Sequence, residues 1–275
     1  MSLFIQELAE ILSFSFIFTA LASRILAVFF IALFFSSIGS FLNVCIYRVP
    51  LKLSIIKPDS YCPKCKTPIK PWHNIPVISY FLLRGRCYYC HERFSFRYCL
   101  VEIITAMLAI VFFIKNGWVL DLVFLKFIIF MCFSIMIIFI DLDHHLILDK
   151  HNYTLLILGF LFSLAGTIPL WNAISGALTG FIIFYLIALL YWISRKVHGL
   201  GGGDIKFISA IGMFTGISGV LFTIFFSSIF ALILNFNNFK KPKELAFGPY
   251  LAFASLFYFF FGDTLIRWYL DFFIT

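Results

Sequence analysis

Apolar runs of bilayer-spanning length recur along this chain, separated by short polar connections. A membrane helix needs about 20 mostly apolar residues. Segments near 24–46, 99–115, 119–140, 151–169, 173–193, 205–217, 218–236 and 247–270 have that character, with Gly216 as the boundary between the sixth and seventh. Backbone polar groups must pair internally in lipid. The predicted class is therefore an all-α polytopic membrane protein of about eight transmembrane helices. Residues 3–21 are predicted as an interfacial helix leading into the first span. Hydrophobic residues make up 62% of the 275, above the roughly half found in soluble domains. The 39 phenylalanines add to this bulk and carry no functional signal of their own.

The net charge of +8 invites a nucleic-acid reading, but its distribution argues against one. Ten Lys/Arg lie between Arg48 and Arg97, Lys150 follows an acidic patch, Arg195, Lys196 and Lys206 flank a glycine loop, and Lys240, Lys241 and Lys243 precede the last apolar run. Alternate loops are basic, as the positive-inside rule requires. No nucleic acid is expected as a partner; membrane lipid is. Residues 1–10 contain no Lys or Arg and carry Glu7 and Glu10, the reverse of a signal-peptide n-region. The first helix is expected to start on the outer side. The connections 47–98, 141–150, 194–204 and 237–246 then face the cytosol.

One of these loops holds Cys62-Pro-Lys-Cys65 and Cys87-Tyr-Tyr-Cys90. Two close pairs of thiolates suit a tetrahedral structural zinc site. Two disulfides are the alternative, which a reducing cytosol disfavours. The predicted loop is thus small, cytosolic and zinc-ribbon-like, with Cys62, Cys65, Cys87 and Cys90 as ligands. His73 and His91 are read as surface or capping residues. Cys45, Cys99 and Cys132 are isolated in apolar runs and read as buried hydrophobes.

Carboxylates at the ends of membrane helices are costly to desolvate and point to function. Four of the 13 acidic residues sit at two such places. Asp141-Leu-Asp143-His144-His145-Leu-Ile-Leu-Asp149 follows the apolar run 127–140, and Gly201-Gly202-Gly203-Asp204 precedes the next one. A pair of aspartates there can act as an aspartic protease. Asp204 at a helix N-terminus, helped by Lys206, is expected to favour the anion, and Asp141 at a helix C-terminus the acid. The glycines are expected to let the backbone approach a substrate strand closely, so Gly201, Gly202, Gly203 and Lys206 are candidates for positioning substrate. Asp149 reads as an N-cap for the helix that follows. Asp143, His144 and His145 read as solvated interface residues. With Asp141 they offer the alternative of a divalent-metal transporter, although such a protein should carry its ionisable groups near mid-membrane. Only Lys126 and Glu102 lie away from span ends.

Taken together these pieces resemble the bacterial type IV prepilin peptidases, the bifunctional leader peptidases and N-methyltransferases of pilus and type II secretion systems. The resemblance runs in order through Gly39-Ser40-Phe41-Leu42-Asn43-Val44, Arg48-Val49-Pro50, the cysteine pairs with Pro71-Trp72-His73-Asn74-Ile75-Pro76 and Ser79-Tyr80 between them, and Arg97-Tyr98-Cys99-Leu100-Val101-Glu102. It continues through Ile140-Asp141-Leu142-Asp143-His144, Gly201-Gly202-Gly203-Asp204-Ile205-Lys206 and Phe247-Gly248-Pro249-Tyr250. Two positions depart from the family pattern, Leu148 and Cys99, each where the family usually has proline.

The resemblance implies an inner-membrane aspartic endopeptidase with Asp141 and Asp204 as the catalytic pair. Its substrates would be prepilins or pseudopilins with a short basic leader and a following hydrophobic helix, cut on the cytosolic side. It also implies N-methylation of the new N-terminus from S-adenosylmethionine, leaning on residues 39–102. The expected organisation is 1–46 as an N-terminal segment with the first span, 47–98 as the cysteine loop and methyltransferase segment, and 99–275 as the peptidase core. A peptidase without methyltransferase activity and a catalytically silent assembly factor are the remaining alternatives.

Overall fold

The computed structural model describes residues 2–62, 64–197, 199–236 and 246–274, so Lys240, Lys241 and Lys243 lie outside the described residues. Eight α-helices follow one another among the described residues: α1 (Ser2–Arg48), α2 (Ile78–Leu82), α3 (Phe96–Lys115), α4 (Leu122–His144), α5 (Asp149–Leu164), α6 (Leu170–Arg195), α7 (Gly202–Asn235) and α8 (Gly248–Ile274). The segment expected at the interface is continuous with the first span in α1. Among the described residues six helices are long and apolar enough to cross a membrane: residues 21–48 of α1, α3, α4, α6, α7 and residues 248–272 of α8. The expectation of about eight is met only approximately. Helix α5 has 16 residues, short of the usual span, and α7 takes up both the sixth and the seventh expected segments in 34 residues.

The chain divides into two compact units, residues 1–41 with 59–111 and residues 42–58 with 112–275. In the first, α1 and α3 touch at a glycine. A Cβ on Gly39 would lie 2.7 Å from the Glu102 Cα, the close backbone approach that small residues allow in membranes. Glu102 is buried and its Oε2 accepts the Val77 N–H at 2.7 Å. Val77 has φ +63°, a costly conformation for a β-branched residue, and this hydrogen bond holds it there.

The second unit is a bundle of α4 to α8 around stacked phenylalanines. Phe112 stacks on Phe127 with centroids 3.9 Å apart, and Phe130 meets Phe214 at 5.1 Å. Part of the aromatic bulk of the sequence thus packs the core, while other phenylalanines, Phe225, Phe253 and Phe261 among them, are exposed. Helices α6 and α7 approach through glycines on both sides: a Cβ on Gly176 would fall 2.5 Å from the Gly216 backbone, and one on Gly212 2.4 Å from that of Gly176.

Gly216 is where α7 breaks, with φ 72° and ψ −171° inside an otherwise helical run. A break frees backbone groups that lipid cannot satisfy. Two polar side chains meet them. Lys126 of α4, 5% exposed, donates to the Phe214 carbonyl at 3.1 Å, and Asn172 of α6 accepts the Ile217 N–H at 3.3 Å. Lys126, near the start of α4, is therefore a cap for the first half of α7.

Candidate active site

One end of the second unit gathers four helix termini. Asp121 starts α4 by accepting the Phe124 N–H at 2.9 Å, and His145 ends it in the left-handed conformation, φ 49°. That terminus leaves Asp141 in the last helical turn, 4% exposed. The short connection to α5 brings Ile147 against the glycine loop: a Cβ on Gly203 would lie 2.9 Å from the Ile147 Cβ. Asn152, one turn into α5 and fully buried, donates from Nδ2 to the Gly203 carbonyl at 3.0 Å. Asp204 thus enters the first turn of α7 with its loop clamped from two sides.

The two carboxylates are close enough for their charges to act on each other. Gly248, the first residue of α8, brings its backbone against the Asp141 carboxylate. A Cβ at Gly248 would sit 2.7 Å from Asp141 Oδ2, so only glycine lets α8 begin there. The Asp204 N–H donates to the Gly201 carbonyl at 3.1 Å, its Oδ2 lies against Gly201, and its buried Oδ1 has no hydrogen-bond partner. Both aspartates therefore lie against glycines at helix N-termini, Gly248 of α8 for Asp141 and Gly201 before α7 for Asp204. The expected contrast, with Asp141 facing only the negative end of a helix, does not hold, because α8 supplies a positive end from elsewhere in the chain.

Lys206 was expected beside Asp204. Its Nζ instead pairs with Asp149 Oδ1 at 2.7 Å and lies over the Tyr153 ring. Asp149 is not the cap of α5 either. Leu148 holds that position without a side-chain bond, and Asp149 stands in the first turn. None of the three loop glycines has a positive φ. Gly201 and Gly203 matter because a Cβ would collide, at 2.9 Å in each case, whereas a Cβ on Gly202 would meet open space. Asp143, His144 and His145 are exposed. Asn152, Ile147 and the role of Gly248 went unread in the sequence. Only Gly248-Pro249 before the last apolar run gave a signal, and a buried asparagine in a 16-residue helix gives none.

The cysteine loop belongs to the first unit. Its pairs form two knuckles of the same build. The Cys62 carbonyl accepts from Lys66 N–H at 2.9 Å and the Cys87 carbonyl from His91 N–H at 3.0 Å. Lys66 and His91, each directly after the second cysteine of its pair, both have positive φ, 58° and 55°. The sulfurs of Cys62, Cys65, Cys87 and Cys90 lie within 4.8 Å of one another, and those of Cys62 and Cys90 are 3.7 Å apart. Among the described residues this is the one group of three or more side chains gathered to hold a metal ion. Asp141, Asp143, His144 and His145 form no such group. The Thr67 hydroxyl, followed by the Thr67 backbone N–H, draws the Cys65 thiol down to about 6. Lys64 of one knuckle pairs with Glu92 of the other. His73 stacks on Tyr88, centroids 4.3 Å apart.

Comparison with known proteins agrees in both halves. Residues 33–116 match the bacterial peptidase A24 N-terminal domain, and residues 128–236 match the type IV leader peptidase family. The prepilin leader peptidase/N-methyltransferase of Neisseria gonorrhoeae is 35% identical over 85% of this chain and 91% of the relative. That of Legionella pneumophila is 31% identical over 88% of this chain and 94% of the relative. The type 4 prepilin-like proteins leader peptide-processing enzyme of Escherichia coli O78:H11 is 32% identical over 80% and 88%. No solved structure matches. With all four cysteines inside the first matched region and both aspartates inside the second, the chain belongs to the type IV leader peptidase family.

Proposed function

We propose that Asp141 and Asp204 form the catalytic dyad of a prepilin leader peptidase that cuts at the cytosolic face of the inner membrane. The observation that carries this reading is the meeting of two carboxylates from different helices at one end of a membrane bundle. Two close carboxylates hold one proton between them. The ionised member takes a proton from water, and the water oxygen adds to the scissile carbonyl carbon. The protonated member gives its proton to the carbonyl oxygen. On collapse of the tetrahedral intermediate the carboxyl that took the water proton gives it to the leaving nitrogen, the other takes a proton from the intermediate's hydroxyl, the C–N bond breaks and the dyad again holds one proton. Gly248 packs against Asp141, and Asn152 holds the Gly203 carbonyl. The exposed, sterically open Gly202 leaves room for a substrate strand.

Substrates are prepilins and pseudopilins, whose basic leader suits an acidic site. N-methylation of the new N-terminus, with S-adenosylmethionine as methyl donor, is assigned to the segment around the cysteine loop. Zinc fits that loop: Zn–S bonds of about 2.3 Å put tetrahedral sulfurs about 3.8 Å apart, and the Cys62–Cys90 separation is 3.7 Å. Its part is structural, joining the two knuckles. The test of the dyad is mass spectrometry of a co-expressed prepilin, in which leader loss and methylation give separate mass changes. Asp141→Asn and Asp204→Asn should each abolish leader removal at normal expression, and Asp143→Asn should cost far less. Leader removal by Asp141→Asn at near the parent rate would disprove the assignment.

A further inference from the structure

Helix α2 and the turn after it form a surface that peptide cleavage does not use. Ile78, Phe81 and Leu82 are 50%, 62% and 76% exposed. Behind them a cleft of about 430 Å³ is lined by Leu82, Leu83, Arg84, Arg86, Cys87, Tyr88 and His91, with no carboxylate. Arg86 also faces Arg93 across an antiparallel bridge, and like charges so placed repel. The nearest carboxylate along the chain, Glu92, is taken by Lys64. Geometry fixes the height of this surface. Tyr80 of α2 packs edge-on against Phe96, the first residue of membrane helix α3, and the Gly85 carbonyl accepts the Phe94 N–H at 2.8 Å. The apolar face and the arginines therefore lie where α3 enters the bilayer.

We propose that α2 and its arginine cleft bind an anionic phospholipid, the arginines holding the headgroup phosphate while Ile78, Phe81 and Leu82 dip among the acyl chains. Exposed apolar side chains beside clustered arginines are the composition of an interfacial anchor, and juxtamembrane basic groups draw acidic lipid. S-adenosylmethionine is the wrong charge for this cleft. It carries a sulfonium and an ammonium against one carboxylate, and no carboxylate of the cleft faces them.

The test uses the full chain in nanodiscs of phosphatidylglycerol in phosphatidylcholine, with retained lipid counted by native mass spectrometry. Wild type should keep phosphatidylglycerol in preference to phosphatidylcholine. Arg84→Ala/Arg86→Ala should weaken this about fivefold per arginine, and Arg84→Lys/Arg86→Lys should keep most of it. The exposed pair Lys52→Ala/Lys57→Ala, outside this unit, should cost much less. If the alanine pair does not fold, Arg84→Gln/Arg86→Gln carries the same test. Equal retention by the neutral variant, an equal loss in the lysine control, or displacement by millimolar inorganic phosphate or S-adenosylmethionine would each overturn the proposal.

Discussion

Asp141 and Gly248 are 107 positions apart in the sequence, and their contact decides what either residue can do. A Cβ at Gly248 would stand 2.7 Å from the Asp141 carboxylate and displace it or the start of α8. Gly248→Ala should therefore cut leader removal at least about tenfold, since small displacements of a catalytic group are costly. A discontinuous peptide assay read as kcat checks this. The glycine loop offers a sharper contrast. Gly203→Ala should lower both Tm and activity, because its Cβ meets Ile147. Gly202→Ala should leave Tm unchanged and raise KM, because its Cβ enters the space left for substrate. Lys206 and Asp149 form one exposed pair, and such pairs contribute little. Lys206→Ala and Asp149→Ala should have similar small effects on cleavage. A Lys206 effect far larger than that of Asp149 would restore a role for Lys206 at Asp204.

At the scale of elements, the break in α7 is the feature with the most consequence. Its freed groups are met by one lysine and one asparagine, both from neighbouring helices. Lys126→Met fills similar space but leaves the Phe214 carbonyl unpaired in an apolar interior. The expected cost is about 1–3 kcal/mol, visible as a lower Tm in detergent. Combining it with Asn172→Ala should cost less than the sum of the two, because they support the same break. Gly216→Ala should be worse than either, since its φ of 72° and the nearby Asn172 side chain both exclude a Cβ. The start of α4 adds a pH effect outside the membrane. Phe124 N–H, followed by the Asn116 side chain, holds the Asp121 carboxyl below its usual range. Its contribution is present above the ordinary carboxylate range and fades as pH falls through the depressed value. Asp121→Ala should thus lower Tm at neutral pH, with the difference from wild type shrinking in acid.

At the scale of the molecule, the cysteine cluster lies in one compact unit and the aspartates in the other. Metal analysis should find about one zinc per chain. Cys62→Ser should release it and make the loop protease-sensitive, lowering methylation more than leader removal. An equal loss of both activities would show that the units do not act separately. Much of this was legible in the sequence by itself. The all-helical membrane class followed from apolar run length, because lipid leaves the backbone no other option. The metal-type cluster followed from cysteine spacing, because each knuckle pairs two thiols by local geometry and two such pairs match the ligand count of a tetrahedral site. The candidate dyad followed from carboxylates at span ends, where desolvation makes an idle charge costly. Gly216 was legible as a boundary but not as a break within one continuous helix. What only the tertiary structure decided depends on partners distant in the chain. Gly248 supplies Asp141 with a helix N-terminus, Asn152 fixes the glycine loop, and Lys206 goes to Asp149. A local reading of charge and dipole sees each residue's own helix, whereas the field at a buried carboxylate is set by whichever helix ends fold against it.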